Sequence, residues 1–447
     1  MTIKKFLIFM FFITLALPVK ANVAYMNLDW WKNYNDEILN QHLLDLYENN
    51  HDLKIAAYKT KQAKENIILI DANQLPQASF TPEFVQTFKG STHRFGDIEI
   101  PQYTQTNILL PIEASYEIDI WGQNYLNKKS AKKQKEIADE DERAAYIYIT
   151  SSFVANYYNL IKTDELIKTT QNIVDIQSQV VNMTEKKYNN GLCSINELLN
   201  ERQLLLESKN KLNKLVENKK ILNNELLDLL GENTDQEVKH SDFESINYPN
   251  TPDSISALAI KNRPDLIKSE KYAQKVGIDV RVVKRDFLPK FILYGNIGFN
   301  AYNKGGIFNS NTFMSNVGIL PRWDIFSGGA KLAKYRITKY EYKKSEEIYQ
   351  KTVLDSIQEL NNALVQTKTT KENLKISNEI LSIEEQKYCN AQKKYNVGNL
   401  SKLNEMKEQI NLLLIKQHHI SAEIDDLIST ISLYNAVGGV DYNNIDL

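Results

Sequence analysis

The sequence predicts an internally duplicated α+β membrane protein, with one β-hairpin and one long coiled-coil helical hairpin in each half. An apolar residue at every seventh position, followed by a glycine turn, is typical of helices in a left-handed coiled coil. The pattern occurs twice, with 207 positions between Gly191 and Gly398, which indicates a duplication. The two stripes are Tyr146, Phe153, Leu160, Ile167, Val174, Val181 and Tyr188, then Val353, Leu360, Thr367, Leu374, Leu381, Tyr388 and Tyr395.

Residues 1–21 predict a secretory signal peptide. Lys4 and Lys5 precede an apolar run that ends at Leu17, and Val19-Lys20-Ala21 offers a small-x-small cleavage site. A membrane anchor is the alternative, but the apolar run is short for a helix that crosses a bilayer. No cysteine lies near the cut, so the sequence excludes a lipid anchor there.

Each half begins with a helical segment that stops at a proline. Residues 28–72 have helical apolar spacing interrupted at Asn49-Asn50, and residues 254–287 are their counterpart. Pro76 and Pro289 follow these segments. Because proline lacks an N–H and clashes with the preceding turn, both helices end there.

The apolar period then changes to two, which predicts strands. Phe291, Leu293 and Ile297 share one face of the second hairpin, residues 290–326, and Phe80, Phe84 and Phe88 share one face of the first, residues 77–118. Loops at His93–Asp97 and Asn303–Gly306 lead to the second strands, at about 103–118 and 312–325. Four strands cannot close a membrane barrel, so several chains must share it. Two chains would give eight strands and three would give twelve, and the strand count leaves both open.

Matching corners connect the strands to long helices at about 124–188 and 330–395, each on the order of 100 Å long. Glycine allows the sharp turn, and an aromatic side chain suits the water–lipid boundary. Return helices follow at about 194–230 and 401–436. The first repeat is thus 22–231 and the second 253–439, with a linker at 232–252 and a tail at 440–447. The corner residues are Asp119, Trp121, Gly122, Asp324, Phe326 and Gly328.

No catalytic or metal-binding pattern is present, and we predict neither an enzyme nor a cofactor. His418 and His419 are adjacent, so they point to different sides of a helix. Cys193 and Cys389 have no partner at a metal-binding spacing. The formal net charge of −2 does not indicate a nucleic-acid-binding protein, which typically carries an excess of basic residues.

The ordered motifs over residues 28–439 resemble the TolC family of outer-membrane efflux proteins. The resemblance rests on the duplicated order of helix, proline, two strands, Asp-Ile-aromatic corner, long helix, Tyr-x-x-Gly and return helix. It implies a homotrimer in the Gram-negative outer membrane. Twelve strands would form one transmembrane β-barrel in contact with outer-membrane lipid, and the coiled coils would form a helical tunnel in the periplasm.

The resemblance also implies a function and partners. The chain would be the passive exit duct of a tripartite efflux pump, joined by a periplasmic adaptor (membrane-fusion) protein to an inner-membrane pump of RND or ABC type. The alternative within this class is the outer-membrane component of type I protein secretion. A secreted coiled-coil structural protein is the alternative from another class, although it would not need the strands and aromatic corners.

Two groups of candidate site residues follow from the resemblance. The hairpin tips would contact the adaptor, unless their glycines serve only to make tight turns; they are Asn190, Gly191, Leu192, Ser194, Val397, Gly398, Asn399 and Ser401. The periplasmic gate would lie on the helix after the second tip, with candidates Tyr395, Asn404, Glu405, Lys407 and Glu408. The family often has aspartates where Asn404 and Lys407 stand, so a Glu405 ring or a mixed polar gate would replace them. A solvated helix face is the alternative interpretation.

Overall fold

The computed structural model describes residues 29–90, 93–95, 98–100, 103–233, 236–247, 255, 257–302 and 306–439. The predicted signal peptide, the tail, residues 303–305 of the second loop and residues 234–235 and 248–252 of the linker lie outside this described part.

The described helices follow the predicted order and nearly the predicted bounds. A 3₁₀ turn at Asp29–Tyr34 precedes the first helix. The α-helices are α1 (Glu37–Asn49), α2 (His51–Ala72), α3 (Gln123–Asn189), α4 (Ile195–Leu230), α5 (Pro264–Arg285), α6 (Ala330–Asn396) and α7 (Lys402–Ala436). The predicted break between α1 and α2 is confirmed at Asn50, whose side chain accepts a hydrogen bond from Leu53 N and donates one to Leu229 O.

The strands form one antiparallel sheet and one separate short pair. The strands are β1 (Gln77–Phe80), β2 (Glu83–Lys89), β3 (His93–Phe95), β4 (Ile98–Ile100), β5 (Tyr103–Ile118), β6 (Lys290–Tyr302) and β7 (Phe313–Arg322). The order in the main sheet is β1-β5-β6-β7, and β2 extends the path of β1 along β5. The four predicted strand paths are therefore present.

Three details differ from the prediction. The first path is divided at Thr81-Pro82, because proline cannot donate to a strand ladder. The segment predicted as a loop at 93–97 instead contributes β3, which pairs with β4; Gly96 and Asp97 lie outside the described residues. The second hairpin ends at Arg322, four positions before the predicted end at 326.

One face of the sheet is apolar and the other is polar. Ile112 pairs with Ile297, and Phe84 pairs with Ile108. Ile108 and Ile112 are four residues apart on β5, so both pairs lie on the same face. The opposite face places Asn296 beside Asn316, whose amide nitrogen donates a 3.0 Å hydrogen bond to the Asn296 side-chain oxygen. Such alternation is what a sheet between lipid and water requires. Within the described residues, no helix is long and apolar enough to cross a membrane.

The compact units of the structure differ from the sequence repeats. Unit 1 comprises Met1–Ala57, Tyr146–Ile255 and Ala363–Leu447, and unit 2 comprises Tyr58–Ala145 and Ser256–Asn362. Each unit thus takes segments from both halves of the chain, because equivalent helices pack beside each other. The core of unit 1 is aromatic: Trp30, Tyr34, Phe153, Tyr157, Tyr158 and Tyr434 are almost fully buried. The division into repeats at 22–231 and 253–439 stays a proposal.

Candidate functional site

The two helical hairpins of unit 1 end in the same turn. Leu192 N donates to Lys187 O at 2.8 Å in the first tip, and Asn399 N donates to Lys394 O at 2.8 Å in the second. Gly191 and Gly398 have φ angles of +71° and +79°, in the left-handed region that glycine tolerates best. The sequence therefore encodes one tip geometry twice.

The serines after each tip begin the return helices. Ser194 Oγ accepts from Glu197 N at 3.2 Å, and Ser401 Oγ accepts from Asn404 N at 3.3 Å. These are N-caps, which satisfy backbone donors that a helix leaves free. Asn190 also caps its helix, since its amide nitrogen donates to Lys186 O. Among the predicted tip residues, Leu192 and Val397 are the most exposed apolar side chains.

Glu405 is buried instead of facing solvent. Its side chain is 4% exposed and accepts a 2.6 Å hydrogen bond from Lys402 Nζ and one from the Tyr388 hydroxyl at 3.2 Å. The ammonium group of Lys402 also lies 5.0 Å from the centre of the Tyr395 ring. The solvated-face interpretation does not describe Glu405, and its carboxylate is already paired within its own chain. Asn404 is exposed and Glu408 is half-buried.

Lys407 closes a polar layer that joins three helices. Its Nζ donates to Glu201 Oε1 at 2.5 Å, and Gln177 Nε2 donates to Glu201 Oε2 at 2.8 Å. Gln177 belongs to α3, Glu201 to α4 and Lys407 to α7. The Glu201 side chain is 7% exposed and that of Lys407 is 42% exposed. We call this group the Glu201 layer.

A second polar layer joins the same three helices farther from the tips. Lys211 Nζ donates to Gln417 Oε1 at 2.5 Å, and Gln417 Nε2 donates to Thr170 Oγ1 at 2.7 Å. Burial lowers the pKa of Lys211, because desolvation disfavours its charged form. We call this group the Gln417 layer. Polar layers in a coiled coil fix which residues face each other, at a cost in stability.

Glu201, Gln177 and Gln417 were not among the predicted site residues. A signal for Gln177 is present in the sequence, at a second core position that lies three residues after an apolar residue of the first stripe. That second core position is polar in four successive heptads and is buried in each; its residues are Thr163, Thr170, Gln177 and Thr184. The threonine hydroxyls bond to carbonyls of their own helix, whereas Gln177 reaches across to α4.

The first corner of unit 2 holds the sheet to the start of α3. Asp119 Oδ2 accepts a 3.0 Å hydrogen bond from Tyr125 N, and Gly122 has a φ of +69°. The Trp121 indole donates to Pro289 O at 2.7 Å. These three predicted corner residues therefore fix the turn through hydrogen bonds and backbone conformation.

The second corner uses a residue that the prediction did not select. Trp323 Nε1 donates to Phe287 O at 3.1 Å. This acceptor lies two residues before Pro289, whose carbonyl accepts the hydrogen bond from Trp121. The predicted Phe326 is 89% exposed. Lys331 Nζ donates to Asp324 O, and Gly328 has a φ of +58°. Both tryptophans are visible in the sequence, but Trp121 follows Asp119 by two positions whereas Trp323 precedes Asp324 by one, so they do not align.

Asp426 of α7 is an ionisable group inside the packed pair of α6 and α7. Burial raises the pKa of its carboxyl, although the Thr370 hydroxyl, 2.9 Å from Asp426 Oδ1, and nearby Lys371 offset part of this effect. A carboxyl whose folded pKa lies above its unfolded value binds protons more tightly in the folded state. Stability therefore increases as the pH falls through the folded pKa and is lowest above it.

We expect Asp426→Asn to raise the thermal midpoint of the protein at pH 7, because it removes a partly desolvated charge and keeps an oxygen for Thr370. At a pH low enough to protonate this aspartate, the two proteins should have similar midpoints. The matched control is Asp425→Asn, which removes an exposed ion pair with Lys162 and should not raise the midpoint at pH 7. A lower midpoint for Asp426→Asn at pH 7 would contradict this prediction.

Within the described residues, no group of three His, Cys, Asp or Glu side chains is placed to hold a metal ion. The comparisons with known proteins point in one direction. The model of the outer membrane efflux protein family matches residues 43–232 and 255–439. The chain belongs to this family. The resemblance found in the sequence is thereby confirmed.

Individual relatives and solved structures are similar to this chain over nearly its whole length. A pyoverdine export outer membrane protein of Pseudomonas putida is 22% identical, covering 92% of this chain and 87% of the relative. The CmeC outer membrane channel of Campylobacter jejuni superposes with a TM-score of 0.81 at 21% identity, covering 94% and 90% of the two chains. VceC of Vibrio cholerae gives 0.79 at 18% identity, covering 93% and 99%.

Family membership settles the functional class that the sequence predicted. The protein is an outer-membrane efflux channel component with the duplicated TolC-like fold, and its helical part lies in the periplasm. The alternative of a secreted coiled-coil structural protein is not supported. The family is one of transport components.

Proposed function

We propose that three copies of this chain form the passive exit duct of a tripartite pump, and that the duct has no catalytic activity of its own. An inner-membrane pump of RND or ABC type would supply energy and substrate, and a periplasmic adaptor would connect it to the six tips. The observation that carries this proposal is the pair of equivalent tips, each presenting an exposed apolar residue, Leu192 or Val397, at the end of a long hairpin.

Exposed apolar stripes support assembly with further copies. On α4 the exposed large apolar side chains include Ile195, Leu199, Leu206 and Ile221. On α6 the corresponding exposed side chains of unit 1 are Val365, Ile376, Ile380 and Ile383. Large apolar patches on a single chain mark surfaces that another chain covers.

The sheet of unit 2 gives independent support. Among the described strands, β7 pairs only with β6, and the path of β1 and β2 pairs only with β5. Unpaired edges in lipid cost several kcal/mol for each unsatisfied polar group. Joining the free edges of three copies would close a sheet of twelve strands and remove this cost.

The gate is proposed at the start of α7. Coiled-coil helices are stiff, so opening would shift one helix relative to its neighbours without unfolding it. The moving part would carry Asn404, Glu405, Lys407 and Glu408, near the second tip. Adaptor contact at Val397, Gly398 and Asn399 would then be coupled to the gate through the same short segment.

The partner pump would select the substrate. Relatives include proteins named for pyoverdine export and for cation efflux, so the fold does not fix the cargo. Export of polypeptides, as in type I secretion, is the second candidate. Both use the same duct, and the adaptor that co-purifies with it would distinguish them.

The test is to extract the native protein from outer membranes in mild detergent, determine its mass, and record currents in planar bilayers. We expect a trimer that forms pores. A protein recovered only from the soluble periplasm, or a membrane protein without pores, would overturn the proposal.

A further inference from the structure

A short irregular segment after α4 is bound to unit 1 as a peptide ligand would be. Residues 236–241 lie in no helix or strand, and side chains of other elements bind their backbone. Asn223 of α4 makes two such contacts: Val238 N donates to Asn223 Oδ1, and Asn223 Nδ2 donates to Gln236 O, both at 2.8 Å. Val238 itself is buried, at 6% exposure. We call residues 236–241 the strap.

Two further elements hold the second half of the strap. His42 Nε2 of α1 lies 2.9 Å from Lys239 O, so this nitrogen carries a proton and donates it. Ser241 N donates to the Tyr157 hydroxyl of α3 at 3.0 Å, and Ser241 Oγ donates to Asp36 Oδ1 at 2.7 Å. A neutral His42 imidazole is sufficient for the contact with Lys239 O, because that contact needs one N–H only.

His240 is different, because both of its ring nitrogens face oxygens that accept hydrogen bonds. Its Nε2 lies 2.9 Å from Asp164 Oδ2, and its Nδ1 lies 2.9 Å from Ser241 O. A carbonyl oxygen and an ionised carboxylate can only accept. Both ring nitrogens must therefore carry protons, so this geometry requires the imidazolium ion. A neutral imidazole would direct a lone pair at one of the two oxygens.

Asp164 stays ionised because a second cation holds it. Lys219 Nζ of α4 lies 2.7 Å from Asp164 Oδ1. Burial raises the pKa of Asp164, but the hydrogen bonds from Lys219 and His240 outweigh burial and hold that pKa below its usual range. The stabilisation that the carboxylate provides is therefore present at neutral pH and is lost only as the pH falls through this lowered pKa.

The surroundings of the strap leave His240 as the group that responds to pH near neutrality. The other titratable groups that contact the strap or line the cavity of about 370 Å³ beside it are Asp164 and Tyr157 of α3, Lys219 of α4, His42 of α1, and Glu237 and Lys239 of the strap itself. Carboxyl, phenol and ammonium groups ordinarily titrate far from neutral pH, whereas imidazole titrates near it. Since the contact of His42 needs one proton only, a change between about pH 6 and 8 acts on the strap through His240.

We infer that the strap is a pH-sensitive fastening within unit 1. The contact between His240 and Asp164 closes when the imidazole takes up its second proton, and it loosens when the pH rises and that proton is lost. The strap leads from the end of α4 toward the second half of the chain, so the fastening determines how firmly this connection is held to α3. The contacts of Asn223, His42 and Tyr157 remain at both pH values. All these contacts lie within one chain, so the fastening does not depend on the proposed duct.

Hydrogen exchange measured by mass spectrometry on the full-length protein in detergent tests the fastening. After correction for the intrinsic exchange rate at each pH, a peptide that covers the strap should exchange about tenfold more slowly at pH 6 than at pH 8, because one charge-assisted hydrogen bond is lost at the higher pH. Peptides from α3 around Phe153, in the core of the same unit, should not change. Equal protection of the strap at both pH values would overturn the fastening, and so would the same change throughout unit 1.

Substitutions at the two histidines separate the charge of His240 from its shape. His240→Gln cannot gain a proton, so its strap should exchange at both pH values as fast as the parent's does at pH 8. His240→Lys is charged at both pH values, so its strap should stay protected at both. His42→Gln is the matched control: it removes the other histidine and keeps an N–H donor for Lys239 O, so the pH difference should remain. A pH difference that persists in His240→Gln, or one that disappears in His42→Gln, would overturn the fastening. If the His240 variants do not fold, the pH dependence of the parent decides by itself.

Discussion

Phe153→Ala should lower the free energy of opening around residues 146–160 by about 3–5 kcal/mol, the largest effect on stability that we expect from a single side chain. Phe153 is fully buried in unit 1, at 0% exposure. Its ring stacks near Tyr157, with centroids 6.5 Å apart, and lies 6.1 Å from the ring of His42 on α1. Truncation would leave a cavity among large rings that cannot collapse to fill it. Native-state hydrogen exchange of the backbone amides measures this quantity directly.

Phe153→Leu is the matched control for this prediction. Leucine keeps most of the volume and the apolar character, so the expected loss is below about 1.5 kcal/mol. A cost for the alanine variant below about 1 kcal/mol would contradict the assignment of Phe153 to the aromatic core. Equal costs for both variants would mean that ring stacking, and not volume, holds the core together.

The helices could be predicted closely because their signals are strong and local. The long helix predicted at 124–188 is found at Gln123–Asn189, since heptads define its length and Gly122 and Gly191 bound it. The helical segments before both hairpins end at Ala72 and Arg285, each four residues before the proline at which the sequence predicted the end. Helix bounds that depend on only a few neighbouring residues can be predicted from a single sequence.

The first hairpin shows where such rules weaken. The segment after Phe88 has no clear alternation, and the short β3–β4 pair was predicted as a loop. Strands of three residues leave almost no periodicity to detect, and their pairing depends on contacts elsewhere in the chain. The division at Pro82 was foreseeable from proline chemistry, but the weak alternation of Phe80, Phe84 and Phe88 around it favoured one continuous strand.

The candidate site divides in the same way. The tip turns are local and were predicted, whereas Lys407 and Glu201 pair across 206 positions of the chain. A polar residue at a core position predicts that some partner exists, and it does not identify the helix that supplies it. The buried Glu405 illustrates the limit: its sequence position allowed a gate carboxylate, and packing against Tyr388 and Lys402 turned it inward.

The two tips share backbone geometry and differ in chemistry. Ile195 and Leu198 of the first hairpin stand where the second has Lys402 and Glu405. In the first hairpin Ile195 is exposed and Leu198 is buried, whereas the second hairpin pairs Lys402 with Glu405. Both repeats have the same turn, but the side chains around it differ.

Replacing both tip glycines by valine should reduce adaptor recovery about tenfold while leaving the channel inserted and conducting. A Cβ at Gly191 or Gly398 would meet nothing within 4 Å, so the substitution adds no clash with neighbouring atoms. The cost comes from the backbone, because φ angles of +71° and +79° penalise an L-residue by about 1–2 kcal/mol each. A shift of 1.4 kcal/mol away from the docking-competent turn corresponds to a tenfold loss in apparent affinity.

The double variant Gly191→Asn/Gly398→Asn separates this cause from the loss of glycine itself. Asparagine adopts the left-handed conformation more readily than β-branched residues, so adaptor recovery should stay near that of the parent. The measurement is co-purification of the cognate adaptor from the native host, with pore formation in planar bilayers as the check on folding. Equal recovery with the valine and asparagine variants would show that the turn conformation does not govern docking, and the contact would then have to lie along the sides of the hairpins.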